Sequence, residues 1–136
     1  MIREIMRDIL FLSKPSVKAT AKDKNVAKDL LDTLQANADS CVGMAANMIG
    51  VNKRIIVFNT GLANVVMYNP TIIAKNGAYP TEEGCLSLTG VRTTIRYREI
   101  TVVYQDSKLR MQKESFSGFV AQIIQHECDH LDGIII

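Results

Sequence analysis

The sequence is expected to fold as an α+β domain: mostly antiparallel sheet packed around a C-terminal helix, with an amphipathic helix near the N-terminus. Three observations carry this. Val26, Leu30, Leu31 and Leu34 repeat at close to helical spacing and predict a helix over about residues 25–38. Residues 54–116 divide into short apolar or alternating runs separated by turn signals, the pattern of strands. Phe119, Val120, Ile123, Ile124, Cys128 and Leu131 then return to helical spacing, over about Gly118 to Leu131.

Taken in order, residues 1–24 are mixed, and the apolar Ile9-Leu10-Phe11-Leu12 is expected to pin this arm to the body. Asp23 or Asn25 suits the cap of the first helix. Cys41 to Gly50 is small and apolar, with Gly43 and Ala45-Ala46 permitting close backbone approach. Arg54 to Asn59 reads as a buried strand and Val65 to Tyr68 as a second, ended by Asn69-Pro70. Thr71 to Ala74 follows as a third, closed by Asn76-Gly77, and the pattern breaks over residues 79–87. Val91 to Arg96 and Glu99 to Gln105 are further strands. Asp106-Ser107-Lys108 is a hairpin turn from which Leu109 to Phe116 pairs back. Ser115 or Ser117 caps the last helix, and Gly133 suits its C-terminus.

At 136 residues the chain fits one domain, 1–136, large enough to bury a core. A net charge of +2, with Lys and Arg scattered, gives no nucleic-acid footprint. No apolar run has the length of a membrane span. The N-terminus lacks the uninterrupted apolar segment of an export signal, so the cytoplasm is the expected compartment. Three cysteines, an odd number, do not form a disulfide framework.

The chemistry is concentrated near the end, in Gln125-His126-Glu127-Cys128-Asp129-His130. His126 and His130 are the only histidines and stand four apart, so a helix presents both imidazoles on one face. With Glu127 between them this is the His-Glu-x-x-His pattern of metal hydrolases. A catalytic site of this kind needs a third protein ligand and an open position. No carboxylate follows Asp132, which points to another side of the helix. Cys128, about 200° round the helix from His126, faces the core. Cys41 and Cys85 remain.

Three stretches resemble the peptide deformylase family in order and spacing. Gly43-Met44-Ala45-Ala46 is similar to part of its first motif, Gly-x-Gly-apolar-Ala-Ala-x-Gln. Glu83-Gly84-Cys85-Leu86-Ser87 matches the second completely, and Gln125 to His130 matches the third, Gln-His-Glu-x-Asp-His. The resemblance spans nearly the whole chain. It implies that Cys85, His126 and His130 bind one divalent metal, Fe²⁺ in the cell with Zn²⁺ or Ni²⁺ also accommodated. It implies removal of the formyl group from N-formyl-methionyl peptides and nascent chains, with release of formate. Glu127 would take the proton of the attacking water and deliver it to the leaving amine. The backbone N–H of Leu86 would meet the oxyanion. Val42, Gly43, Met44, Met48, Gly84 and Arg92 fall where the family contacts its peptide, and Asp129 would support the motif from behind.

The match fails in two places in the first motif. Met48 stands where the family has Gln, and Met cannot donate to an oxyanion. Cys41 replaces the motif's first Gly. Weakened deformylase activity is therefore expected. The alternatives are an altered-substrate or non-catalytic relative that binds metal and formyl-peptide without efficient turnover, and a His-Glu-x-x-His endopeptidase. The complete Glu-Gly-Cys-Leu-Ser stretch and the absent downstream ligand count against the endopeptidase.

Overall fold

The computed structural model describes residues 1–136. A short helix α1 (Ile9–Leu12) precedes a 3-10 turn (Ala21–Asp23) and α2 (Lys24–Ala36). Strand β1 (Gly43–Ala45), a second 3-10 turn (Ala46–Ile49) and β2 (Ile55–Asn59) follow. Then come β3 (Asn64–Gly84), β4 (Val91–Gln105), β5 (Met111–Ser117) and α3 (Gly118–Leu131). The strands form one antiparallel sheet in the order β1-β2-β3-β4-β5. The expected α+β architecture, with sheet against a histidine-bearing C-terminal helix, is what is observed.

Strand β2 explains the arrangement. Its residues alternate in direction, and both faces are covered. Ile55 and Val57 join Leu30 and Leu34 of α2 in one apolar core, while Ile56 and Phe58 join Ile124 and Leu131 of α3 in the other. This is why Ile55-Ile56-Val57-Phe58 is continuously apolar. Strand β4 supplies Ile100, Val102 and Tyr104 to the α3 core only, so it alternates with Thr101, Val103 and Gln105.

The sheet differs from the expected chain of short strands. The two strands at Val65–Tyr68 and Thr71–Ala74, and the break after them, are one 21-residue strand. Val91–Arg96 and Glu99–Gln105 are likewise one strand of 15 residues. The turn signals are absorbed rather than obeyed. Asn69-Pro70 lies at a register shift between Tyr68 and Thr71, with Asn69 at φ 53. Asn69 is held there by its side chain, which accepts from the Ala19 N–H and donates to the carbonyls of Ala19 and Gln105. Gly77 takes φ +79 within the strand, and Pro80 sits where β3 has β4 on one side only.

The N-terminal arm is also corrected. Ile9 and Leu10 are exposed and only Leu12 is buried, so the arm is pinned mainly by its backbone. Met6 N–H donates to Met48 O at 2.7 Å and Ser16 N–H to Leu131 O at 2.7 Å. Asp23 does not cap α2 through its side chain. It completes a capping box with Thr20 on the preceding 3-10 turn. Ser117 occupies the N-cap of α3 without a capping hydroxyl bond, and Phe119, placed among the apolar positions, is exposed.

Candidate metal centre

Helix α3 brings His126, Glu127 and His130 to one buried face, as the four-residue spacing predicts. The imidazole centroids lie 4.5 Å apart. Cys85 follows directly on the end of β3, so the long hairpin delivers it from the other side. The ligand atoms of Cys85, His126 and His130 all lie within 4.8 Å of one another. Cys41, left open with Cys85 by the sequence, is outside this group, and its thiol donates to Gly43 O at 3.0 Å. Cys128 is buried in the α3 core, away from the group.

The electrostatics separate the two candidate cysteines. Burial opposes ionisation of Cys85, but His126 and His130 beside it bring its pKa down to about 6. Burial and then Glu127 push Cys41 up to about 11. The imidazoles respond in kind. Burial works against protonation of His126, yet Cys85 and Glu83 raise it to about 9. Burial opposes protonation of His130 also, and Glu127 and Cys85 raise it well above its ordinary value. These groups hold a thiolate among positive charges, which is the environment a divalent cation would satisfy. The donor set therefore fits a metal.

Neighbouring groups orient the ligands. His126 Nδ1 is 2.7 Å from Glu83 Oε1. Burial raises the pKa of Glu83, but His126 and Arg96 outweigh it and hold it at about 2. An ionised carboxylate only accepts, so His126 Nδ1 carries the proton and Nε2 is left for coordination. His130 has Glu127 Oε1 at 3.0 Å from Nδ1 and the Ile136 carbonyl at 3.3 Å from Nε2, so a bound metal would displace one of these contacts. Asp129, expected to support the motif, accepts from Arg96 Nη1 at 2.6 Å. The same guanidinium donates to Glu83 through Nη2 at 2.7 Å.

Sequence reasoning missed three of these supports. Arg96 and Glu83 are buried, although nothing in their local pattern distinguishes them from solvated charges. Gln125 reads as part of a motif without a task. Its side-chain amide accepts from Tyr97 N–H and donates to Tyr97 O, both at 2.8 Å, as a neighbouring strand would. This pair fixes α3 against β4 where β5 does not reach.

The centre opens into a cleft of about 510 Å³. Val42, Gly43, Met48, Gly84 and Leu86 line it, together with Glu127. Met44 does not; it is fully buried in the α2 core. Arg92 is not among the lining residues either, and its guanidinium donates to Thr89 O at 3.4 Å. Gly43 is needed for close approach. A Cβ there would meet Ile123 Cγ2 at 2.6 Å and Glu127 Oε2 at 3.0 Å. Met48 packs in the α2 core, and its Sδ accepts from Ala45 N–H at 3.5 Å. Asn47 turns the other way and donates to His130 O at 2.9 Å.

A family model described as polypeptide deformylase matches residues 2–136. The chain belongs to the polypeptide deformylase family. It is a hydrolase, and the family's reaction is removal of the N-formyl group from nascent peptides by a metal-dependent enzyme. A peptide deformylase of Clostridium beijerinckii is 56% identical over 136 residues, covering 100% of both chains. One from Dictyoglomus turgidum is 36% identical over 99% of this chain and 88% of its own. The crystal structure of a peptide deformylase from Legionella pneumophila superposes with a TM-score of 0.89 at 30% identity, over 99% of this chain and 83% of that one. A Met-Ala-Ser-bound class I type b peptide deformylase from Acinetobacter baumannii gives a TM-score of 0.89 at 27% identity, over 99% and 97%. No helix of this family member is long and apolar enough to cross a membrane.

Proposed function

We propose that Cys85, His126 and His130 hold one divalent metal, and that Glu127 serves there as acid and base in deformylation of N-formyl-methionyl peptides in the cytoplasm. The observation that carries this is the three donor atoms within 4.8 Å, in a cleft that Glu127 also lines. The metal, when bound, supplies Lewis acidity toward the formyl carbonyl and acidifies water. Thiolate with two imidazoles suits several metals, with Fe²⁺ the native one and Zn²⁺ or Ni²⁺ also accommodated.

The protein's own groups do the rest. Glu127 takes a proton from the attacking water and returns it to the departing amine. The Leu86 N–H makes no hydrogen bond within the protein and borders the cleft, so it is free to meet the oxyanion. Val42, Gly43 and Gly84 flank the extended peptide.

Met48 contributes no donor where the family has Gln, and a missing oxyanion donor costs roughly 10²–10³ in kcat. A Gln here would keep the Ala45 N–H contact through Oε1 and leave its amide N–H groups for the cleft. Met48 also favours the second reading, a relative that binds metal and formyl-peptide without efficient turnover. Formate release under anaerobic, metal-replete conditions separates the two. Active wild type, an inactive Glu127→Ala and a faster Met48→Gln are expected. Equal rates for wild type and Glu127→Ala would remove the catalytic reading. No gain in kcat/KM for Met48→Gln would remove the missing-donor explanation.

A further inference from the structure

The apolar spacing of α3 is interrupted on its cleft side by Gln122, which lies one turn before His126. Its side chain is committed at both ends. Nε2 donates to Glu83 Oε2 at 2.9 Å, and Oε1 accepts from the Tyr79 hydroxyl at 3.3 Å. Glu83 in turn receives His126 Nδ1 on Oε1 at 2.7 Å. Tyr79 and Glu83 both belong to β3, whereas Gln122 and His126 both belong to α3. Gln122 is thus the second tie between these elements at the metal centre, and it works from the side opposite Arg96's shortest contact.

The two oxygens of Glu83 are distinguishable by their partners. Oε1 holds His126 and the shorter Arg96 bond, at 2.7 Å. Oε2 holds Gln122 and Arg96 Nε at 3.0 Å. A carboxylate anchored at one oxygen alone can rock about that contact, and rocking turns the acceptor away from His126. With a donor on each oxygen the plane of the carboxylate is fixed, and with it the His126 ring. An apolar residue at 122 would fill the same stretch of cleft wall but leave Oε2 without its amide donor.

We propose that Gln122 is a positioning residue for the metal centre: by clamping Glu83 between Tyr79 and α3 it fixes the orientation of His126. The inference rests on the proposed ligand set. It adds a residue that touches neither metal nor substrate carbonyl but controls how firmly one ligand is held.

The test is the rate at which the Fe²⁺- or Zn²⁺-loaded protein yields its metal to a chelator, compared between wild type and Gln122→Leu. Removal of a group that orients a metal ligand typically costs about 10–100-fold in affinity or activity, so release is expected to be about tenfold faster or more. kcat should fall while KM for a formyl-Met peptide changes little, since the cleft wall stays filled. Gln122→Glu places a second carboxylate against Glu83 and should accelerate release further. Tyr79→Phe, which leaves Gln122 in place, should give a smaller effect of the same sign and serves if Gln122→Leu does not fold. Equal release rates for wild type and Gln122→Leu, or for wild type and Tyr79→Phe where Gln122→Leu does not fold, would overturn the proposal. A wild type that binds no stoichiometric metal would instead overturn the ligand assignment, a separate result.

Discussion

Arg96 is where the charges of the site converge. Its guanidinium is buried, and it donates to Glu83 on one side and to Asp129 on the other. Replacing it with Met keeps the bulk but strands a buried carboxylate that also orients His126. Removing one partner of a buried pair costs about 3–5 kcal/mol. Arg96→Met should therefore lose stability on that scale in urea unfolding, and a loss below about 1 kcal/mol would mean that solvent screens the pair. The ligands themselves were legible residue by residue, because spacing on a helix fixes facing. Arg96 and Glu83 were not legible as a pair, because their contact depends on the register Glu83↔Arg92 between β3 and β4. Met48 was read correctly as lacking a donor. Its bond to Ala45 N–H emerged only from the turn that follows β1.

Among the elements, α3 was predicted at its observed limits and β3 was not. The difference is physical. The helix is closed by local bonds: Gly133 N–H donates to His130 O and Ile134 N–H to Asp129 O, a Schellman ending that a Gly announces. Gly133 adopts φ +76, and a Cβ there would come within 2.3 Å of Ser13 O. Gly133→Ala should destabilise the protein by about 1–3 kcal/mol from backbone strain alone, more with the clash. The urea midpoint reports it, and an unchanged midpoint would show that the arm yields freely. Strand β3, by contrast, crosses Asn69-Pro70, Asn76-Gly77 and Tyr79-Pro80, each a local turn signal. Its continuity comes from pairing with β4 across distant sequence, which outweighs those preferences.

For the whole molecule, the two cores on either side of β2 leave tyrosines that cannot ionise cheaply. Burial and then the adjacent Glu114, which accepts the Tyr104 hydroxyl bond, raise the Tyr104 pKa above its ordinary value near 10. Burial and Asp23 raise Tyr68 in the same direction. A folded-state pKa above the unfolded one favours the protonated form. The stability these groups contribute is thus complete below about pH 10 and is lost as pH rises through the folded values. Urea midpoints should fall steeply above about pH 10, and Tyr104→Phe should flatten that fall. An unaltered alkaline slope in Tyr104→Phe would show that Tyr104 does not govern it.

The sequence by itself determined the helices, the buried strand β2, the facing of His126 and His130, and the family, through Glu83 to Ser87 and Gln125 to His130. These follow from short-range periodicity and contiguous motifs, which need no knowledge of distant contacts. Only the tertiary structure decided that Cys85 and not Cys41 meets the histidines, that β3 and β4 form one long hairpin, and that Glu83 is clamped by Arg96 and Gln122. Each of these depends on which residues a strand register or a helix-to-sheet contact brings together across 13 to 43 positions of chain. Such contacts leave no local periodicity for a sequence to display.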